Sequence, residues 1–262
     1  MNIFKKMSAT LMLATLTMSV SAQSQVKNEV YASFDQAIST ITYTKDKRFI
    51  FTFHPFYNPK VKVAERLENG EIRPFPNADM QDAYDSEGKL KNPGEYFNWT
   101  LAVHADNQGQ VWILDSGQAE PRITPKLVAW DTKTNKLAKV IYLPDGVTLD
   151  ESQHNDFIVS NQHHLIVIAD EGIAKGPVGK KAALVVVNTQ TGKSHRVLQG
   201  TESIKPHMDL PMVYAKGTQQ ERQAGLYIGV DGIALDKQEE WMYFTPVSQS
   251  KVYRIRVADL AN

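Results

Sequence analysis

The feature that most constrains the fold is a strand–turn–strand unit recurring along the chain. Its last copy reads GVDGIALD at Gly229–Asp236, WMYFTPVSQS at Trp241–Ser250 and KVYRIRV at Lys251–Val257. Short alternating runs rich in β-branched and aromatic residues, bounded by polar turns, predict antiparallel strands. A second copy runs through LAVHADNQG (Leu101–Gly109), VWILDSG (Val111–Gly117), PKLVAWD (Pro125–Asp131) and KLAKVIYLP (Lys136–Pro144). A third runs through DFIVSNQ (Asp156–Gln162), HLIVIADEG (His164–Gly172), AALVVVN (Ala182–Asn188) and SHRVL (Ser194–Leu198). A fainter copy occupies 41–76. The first polar turn falls at Asp46, Asp106, Asn161 and Asp236, and the second strand ends at Phe53, Asp115, Asp170 and Pro246. The two anchors drift together, as a true repeat requires. A four-stranded unit with a period of roughly 50 residues is a propeller signature. The expected fold is therefore all-β, about four blade-like units of a six-bladed ring, with loop insertions at about 66–98 and 200–228.

Residues 1–22 have the layout of a secretory signal peptide. Lys5 and Lys6 precede the mostly apolar stretch Met7–Val20, and Val20-Ser21-Ala22 before Gln23 is a small-residue cleavage site. The run is too short to span a bilayer. Residues 23–262 are then the exported propeller, secreted or periplasmic. With no cysteine in the chain, neither a disulfide framework nor a lipid-anchored N-terminus is available, which favours a bacterial protein. The balance of 29 basic and 29 acidic residues speaks against nucleic acid or an anionic membrane as partner. Asn98-Trp99-Thr100 matches a glycosylation sequon, expected to be unmodified in a bacterial protein.

Within this frame several motifs occur in order from about residue 35 to the end. They are FHPFY (Phe53–Tyr57), VWILDSG, PKLVAWDTKTN (Pro125–Asn135), HNDFIV (His154–Val159), ADEG (Ala169–Gly172), ALVVVN, GVDGIAL and YFTPVS (Tyr243–Ser248). Together they resemble the yellow / major royal jelly protein family. The resemblance implies a six-bladed propeller and association with small aromatic amines and, in some members, with pigment pathways. Six blades at this period need roughly 300 residues, more than the chain supplies. Truncation is the favoured account, a degenerate relative the other. An unclosed ring would expose edges open to self-association.

Inner strands of a propeller converge on the central channel. Aligning the polar turns places Asp156 and Asp231 at one level, five residues before Asn161 and Asp236, with Asn155 beside Asp156. Two carboxylates and an amide on one channel can hold the polar end of a small ligand or a hard cation; the competing account is an Asp that caps its own turn. His104 alternates with Leu101 and Val103, to face the channel or pack between blades. His54, Phe56 and Tyr57, at a strand end, line a pocket mouth or fill a blade wedge. His207 belongs to a loop that reaches the channel mouth. His154, His163 and His164 cluster in sequence, but the latter two sit at a strand turn, which speaks against a shared metal site; Asp115 and Asp170 read as turn-fixing groups. A more distant resemblance, to senescence-marker / gluconolactonase-type propellers, implies a metal held by Glu, Asn and Asp. Asp231 matches that Asp, Asp156 stands where Asn is expected, and no Glu occurs near Ile41. No metal or other cofactor is expected on these grounds.

No nucleophile elbow, zinc-protease or complete phosphate-loop motif is present. Two function classes follow. The first is an exported binding protein that takes a small, aromatic or amine ligand at the central channel through Asn155, Asp156, Asp231, His104, His54, Tyr57 and His207. The second is an enzyme, either dopachrome-tautomerase-like or a metal-dependent lactonase. An inactive fragment is the third possibility.

Overall fold

A computed structural model describes residues 28–215 and 222–261 of the chain. The proposed signal peptide, residues 1–22, lies outside the described residues. The chain builds three four-stranded antiparallel sheets and a three-stranded one, each ordered along the sequence. The first holds β1 (Ile38–Tyr43), β2 (Phe49–Phe53), β3 (Val63–Arg66) and β4 (Ile72–Pro74). The second holds β5 (Thr100–Ala105), β6 (Gln110–Asp115), β7 (Lys126–Asp131) and β8 (Lys136–Tyr142). The third holds β9 (His154–Ser160), β10 (Leu165–Asp170), β11 (Ala183–Asn188) and β12 (Ser194–Val197). After a hairpin, β13 (Met212–Ala215) and β14 (Arg222–Leu226), the last sheet holds β15 (Val230–Leu235), β16 (Trp241–Pro246) and β17 (Tyr253–Arg256). The first strands touch in the order β1, β5, β9, β15. This is an all-β propeller of four blades, the last three-stranded.

Alternation along the strands explains the stacking, because successive side chains leave opposite faces. In β6, Val111 and Ile113 join Ile50, Val63 and Phe75 of the first blade, whereas Trp112 and Leu114 join Phe157, Ile166 and Ile168 of the third. In β10 the other set, Leu165, Val167 and Ala169, packs on Val230, Met242 and Phe244 of the last. A blade buried on both faces needs apolar residues at odd and even positions alike, hence near-continuous runs such as LIVIA and ALVVV.

Two expectations are corrected. The 66–99 stretch is not merely a surface loop: Phe75, Met80, Tyr96 and Phe97 are buried, and all but Tyr96 join the core between the first two blades. Buried Gln81 supports it, accepting from the N–H groups of Lys62 and Val63 and donating to the Phe75 carbonyl. Polar composition concealed these few apolar anchors. The 200–228 insertion contains the β13–β14 hairpin instead of loop throughout. Asn98 of the sequon is buried and bonded to Ala119 and Pro121 carbonyls, which leaves its amide no room for a glycan.

Candidate functional site at the propeller axis

Each first strand carries a register irregularity near its start: between Ile38 and Ile41, Thr100 and Ala102, His154 and Phe157, and Val230 and Gly232. Such bulges re-aim side chains and cluster at sites. Here they govern which polar groups meet. Asn155, Asp156 and Asp231 all lie in these bulges, as does Leu101, whose carbonyl accepts from Thr40 and Thr52 hydroxyls.

The two aspartates, expected at one level, turn to different partners. Asn155 donates its amide N–H to Asp231 Oδ1, whereas Asp156 Oδ1 meets His104 Nε2 at 2.8 Å. The register explains the difference: Val230 pairs with the last residue of β16 and His154 with the last residue of β10, which makes Asn155, not Asp156, the counterpart of Asp231. His104 stands edge-on to Phe157, with ring centroids 4.7 Å apart.

A carboxylate without a role in the sequence reading joins them. Glu171, just past β10, is buried and accepts from Gln153 Nε2 at 2.6 Å. Burial, reinforced by the charge of Asp231, pushes its carboxyl up to about 8. Burial also raises Asp231, against the bond from Asn155. Gly229 permits the close approach of the chains here: a Cβ on it would meet Ala182 Cβ at 2.2 Å and the Glu171 carbonyl at 3.3 Å. The available signal was positional, since Glu171 directly follows the anchor residue Asp170.

Beside this group, a cavity of about 310 Å³ opens between three first strands, walled by His104, Phe157, Val159, Ile233, Leu235 and Glu239. His104 belongs to both, lining the cavity and holding Asp156. The remaining sequence candidates lie elsewhere. His54, lowered in pKa by burial, sits with Phe56 and Tyr57 beyond β2, where Phe56 also meets Trp99 at 5.8 Å. His207 bonds Glu202 at 2.6 Å and the Ser248 carbonyl. Among the described residues neither group is hydrogen-bonded to Asp156, Asp231 or Glu171. His154 is buried at the start of β9, and burial lowers its pKa. Asp115 and Asp170 do fix turns: each accepts the N–H two residues on, of Gly117 and Gly172, and each pairs with a buried cation, Lys126 or Arg196. Among the described residues no group of three or more His, Cys, Asp or Glu side chains is arranged to hold a metal ion.

Blades stacked in chain order define a β-propeller, with an acid–amide–imidazole group on its first strands. Residues 100–262 match the sequence profile of the family described as Major royal jelly protein. The chain belongs to the major royal jelly protein family. Major royal jelly protein 3 of Apis mellifera is 23% identical over 201 residues, which are 73% of this chain and 33% of that protein. Major royal jelly protein 1 of Apis mellifera is 24% identical over 194 residues, covering 64% of this chain and 41% of that one. The chain thus spans about a third to two-fifths of these relatives' length. Among solved structures, the XC5397 gluconolactonase from Xanthomonas campestris superposes with a TM-score of 0.49 at 12% identity, over 85% of this chain and 60% of that chain. The Dos1 propeller superposes with a TM-score of 0.46 at 9% identity, over 86% and 60%.

Proposed function

We propose that this chain is an exported binding propeller that takes a small ligand with an apolar, aromatic body and a protonated amine at the axis. The observation that carries this reading is a cavity whose wall combines the apolar side chains Phe157, Ile233 and Leu235 with polar groups, among them His104, which is hydrogen-bonded to Asp156. Burial of a flat apolar body drives binding, and a carboxylate beside it selects a cation through a charge-assisted hydrogen bond. Phe157 takes the aromatic role that the sequence reading gave to Tyr57. The aromatic turn at His54–Tyr57 and the His207 loop stay outside this site.

Calorimetry with tyramine and its uncharged analogue 4-ethylphenol tests the reading. Tyramine is expected to bind more tightly, and Asp156→Asn to cost it about ten-fold, close to the worth of one charged hydrogen bond. Equal binding of both compounds, or an unchanged Asp156→Asn variant, sinks it. Binding is expected to survive chelation with EDTA; loss on chelation would favour the metal-dependent lactonase instead. Export is tested on the same protein: the mature N-terminus is expected at Gln23, and an intact Met1 in the exported fraction would refute it.

A further inference from the structure

A second cavity, of about 240 Å³, lies between the second and third blades on the side of the β5–β6 and β9–β10 turns. Its wall includes Asp106, Gln108, Gln110, Trp112, Asn161 and Gln190. The formal charges here already have partners inside the protein. Asp106 Oδ1 accepts from the Gln108 and Gln110 N–H groups, both at 2.8 Å, and Oδ2 from Trp112 Nε1 at 3.2 Å. Lys139 Nζ reaches across the blade interface to the Thr189 carbonyl. What remains for a ligand is carboxamide, together with the His164 imidazole. The side chains of Gln108, Gln110, Asn161 and Gln190 have no hydrogen-bond partner among the described residues.

Each carboxamide offers a donor and an acceptor side by side, the complement of a hydroxyl group, which also does both. Trp112 lies at the base of the cleft as a buried ring whose only polar atom is committed to Asp106. The walls are preformed. Thr189 donates through both N–H and hydroxyl to the His164 carbonyl, and Glu239 ties Ser160 and Gln162 from the next blade. The volume is below the roughly 300–1,000 Å³ of drug-sized sites, so a single ring is the size that fits.

We propose that this inter-blade cleft binds a neutral polyhydroxylated ligand of monosaccharide size, without using the Asp156–His104 pair. Saturation-transfer NMR on the unmodified chain with glucose, galactose and glucuronate is the first test. Transfer from the neutral sugars is expected, with no gain for the charged glucuronate. In calorimetry, Gln110→Ala combined with Gln190→Ala is expected to weaken binding about ten-fold, the worth of one or two neutral hydrogen bonds. Gln190→Trp, on an exposed turn and therefore safe for folding, is expected to close the cleft and remove binding. Asp156→Asn is expected to leave sugar binding unchanged, which separates this site from the axial one. Absence of transfer from every neutral sugar, preference for glucuronate, or binding that persists in both cleft variants would overturn the proposal. Loss of sugar binding in Asp156→Asn would overturn it too, by moving the site to the axis.

Discussion

Two buried carboxylates show how neighbours decide the behaviour of one residue type. Burial alone would raise the Asp115 carboxyl; the Lys126 ammonium at 2.6 Å and the N–H groups of Trp99 and Asn98 outweigh it and hold the group below its usual range. Glu171 has only an amide donor and lies near Asp231, so burial prevails and its carboxyl rises to about 8. The consequence for stability has a definite sign. Below the unfolded value of 4.5 the carboxyl is protonated in both states. From there up to about 8 the unfolded chain releases the proton while the folded chain keeps it, so stability falls as pH rises and levels off above that range. Glu171→Gln keeps the acceptor for Gln153 without the titration. Melting curves at acid and alkaline pH are expected to show a shallower decline in this variant than in the parent. Parallel declines would place the Glu171 carboxyl near its ordinary range.

At the scale of elements, the informative segment is 66–99. It has little regular structure, yet its apolar side chains close the wedge between the first two blades. Phe97 is 0% exposed there, and Phe56, in the turn after β2, is 63% exposed. Truncating a fully buried Phe costs about 3–5 kcal/mol, whereas an exposed one costs under about 1 kcal/mol. Urea unfolding of Phe97→Ala and Phe56→Ala is expected to reproduce that contrast. Similar midpoints for the two variants would mean the segment is only a cover. The bulges illustrate a second element-scale effect. One extra residue in β9 sends neighbouring Asn155 and Asp156 to opposite partners, an outcome that alignment on turns, which assumes an unbroken register, has no means to foresee.

For the molecule as a whole, every inner blade is covered on both faces, whereas the last sheet presents one face to solvent. Tyr243 is exposed there, and Arg254 and Arg256 both lie over Trp241, with guanidinium carbons 4.2 and 4.7 Å from the ring centre. β17 also ends the sheet order, so among the described residues its outer edge has no strand beside it. Unpaired edges of this kind recruit other strands. Sedimentation velocity is therefore expected to show association that grows with concentration and diminishes in a Tyr243→Lys variant. A single monomeric species throughout would rule out self-association through this face.

The blade pattern was legible in the sequence because alternation and turn chemistry are local. Asp106, Asn161 and Asp236 mark their turns, and runs such as LIVIA declare strands buried on both sides. Asn155, Asp156, Asp231 and His104 were identifiable as first-strand residues for the same reason. Their pairing was not, because it depends on a one-residue slip in β9 and on which neighbour each side chain then reaches. Nor was Glu171, whose raised carboxyl comes from burial and from Asp231 sixty residues away in sequence. The sequence by itself determined the all-β repeat, through interactions spanning a few residues. Only the tertiary structure decided which groups meet at the axis, because desolvation and charge act across the gap between blades.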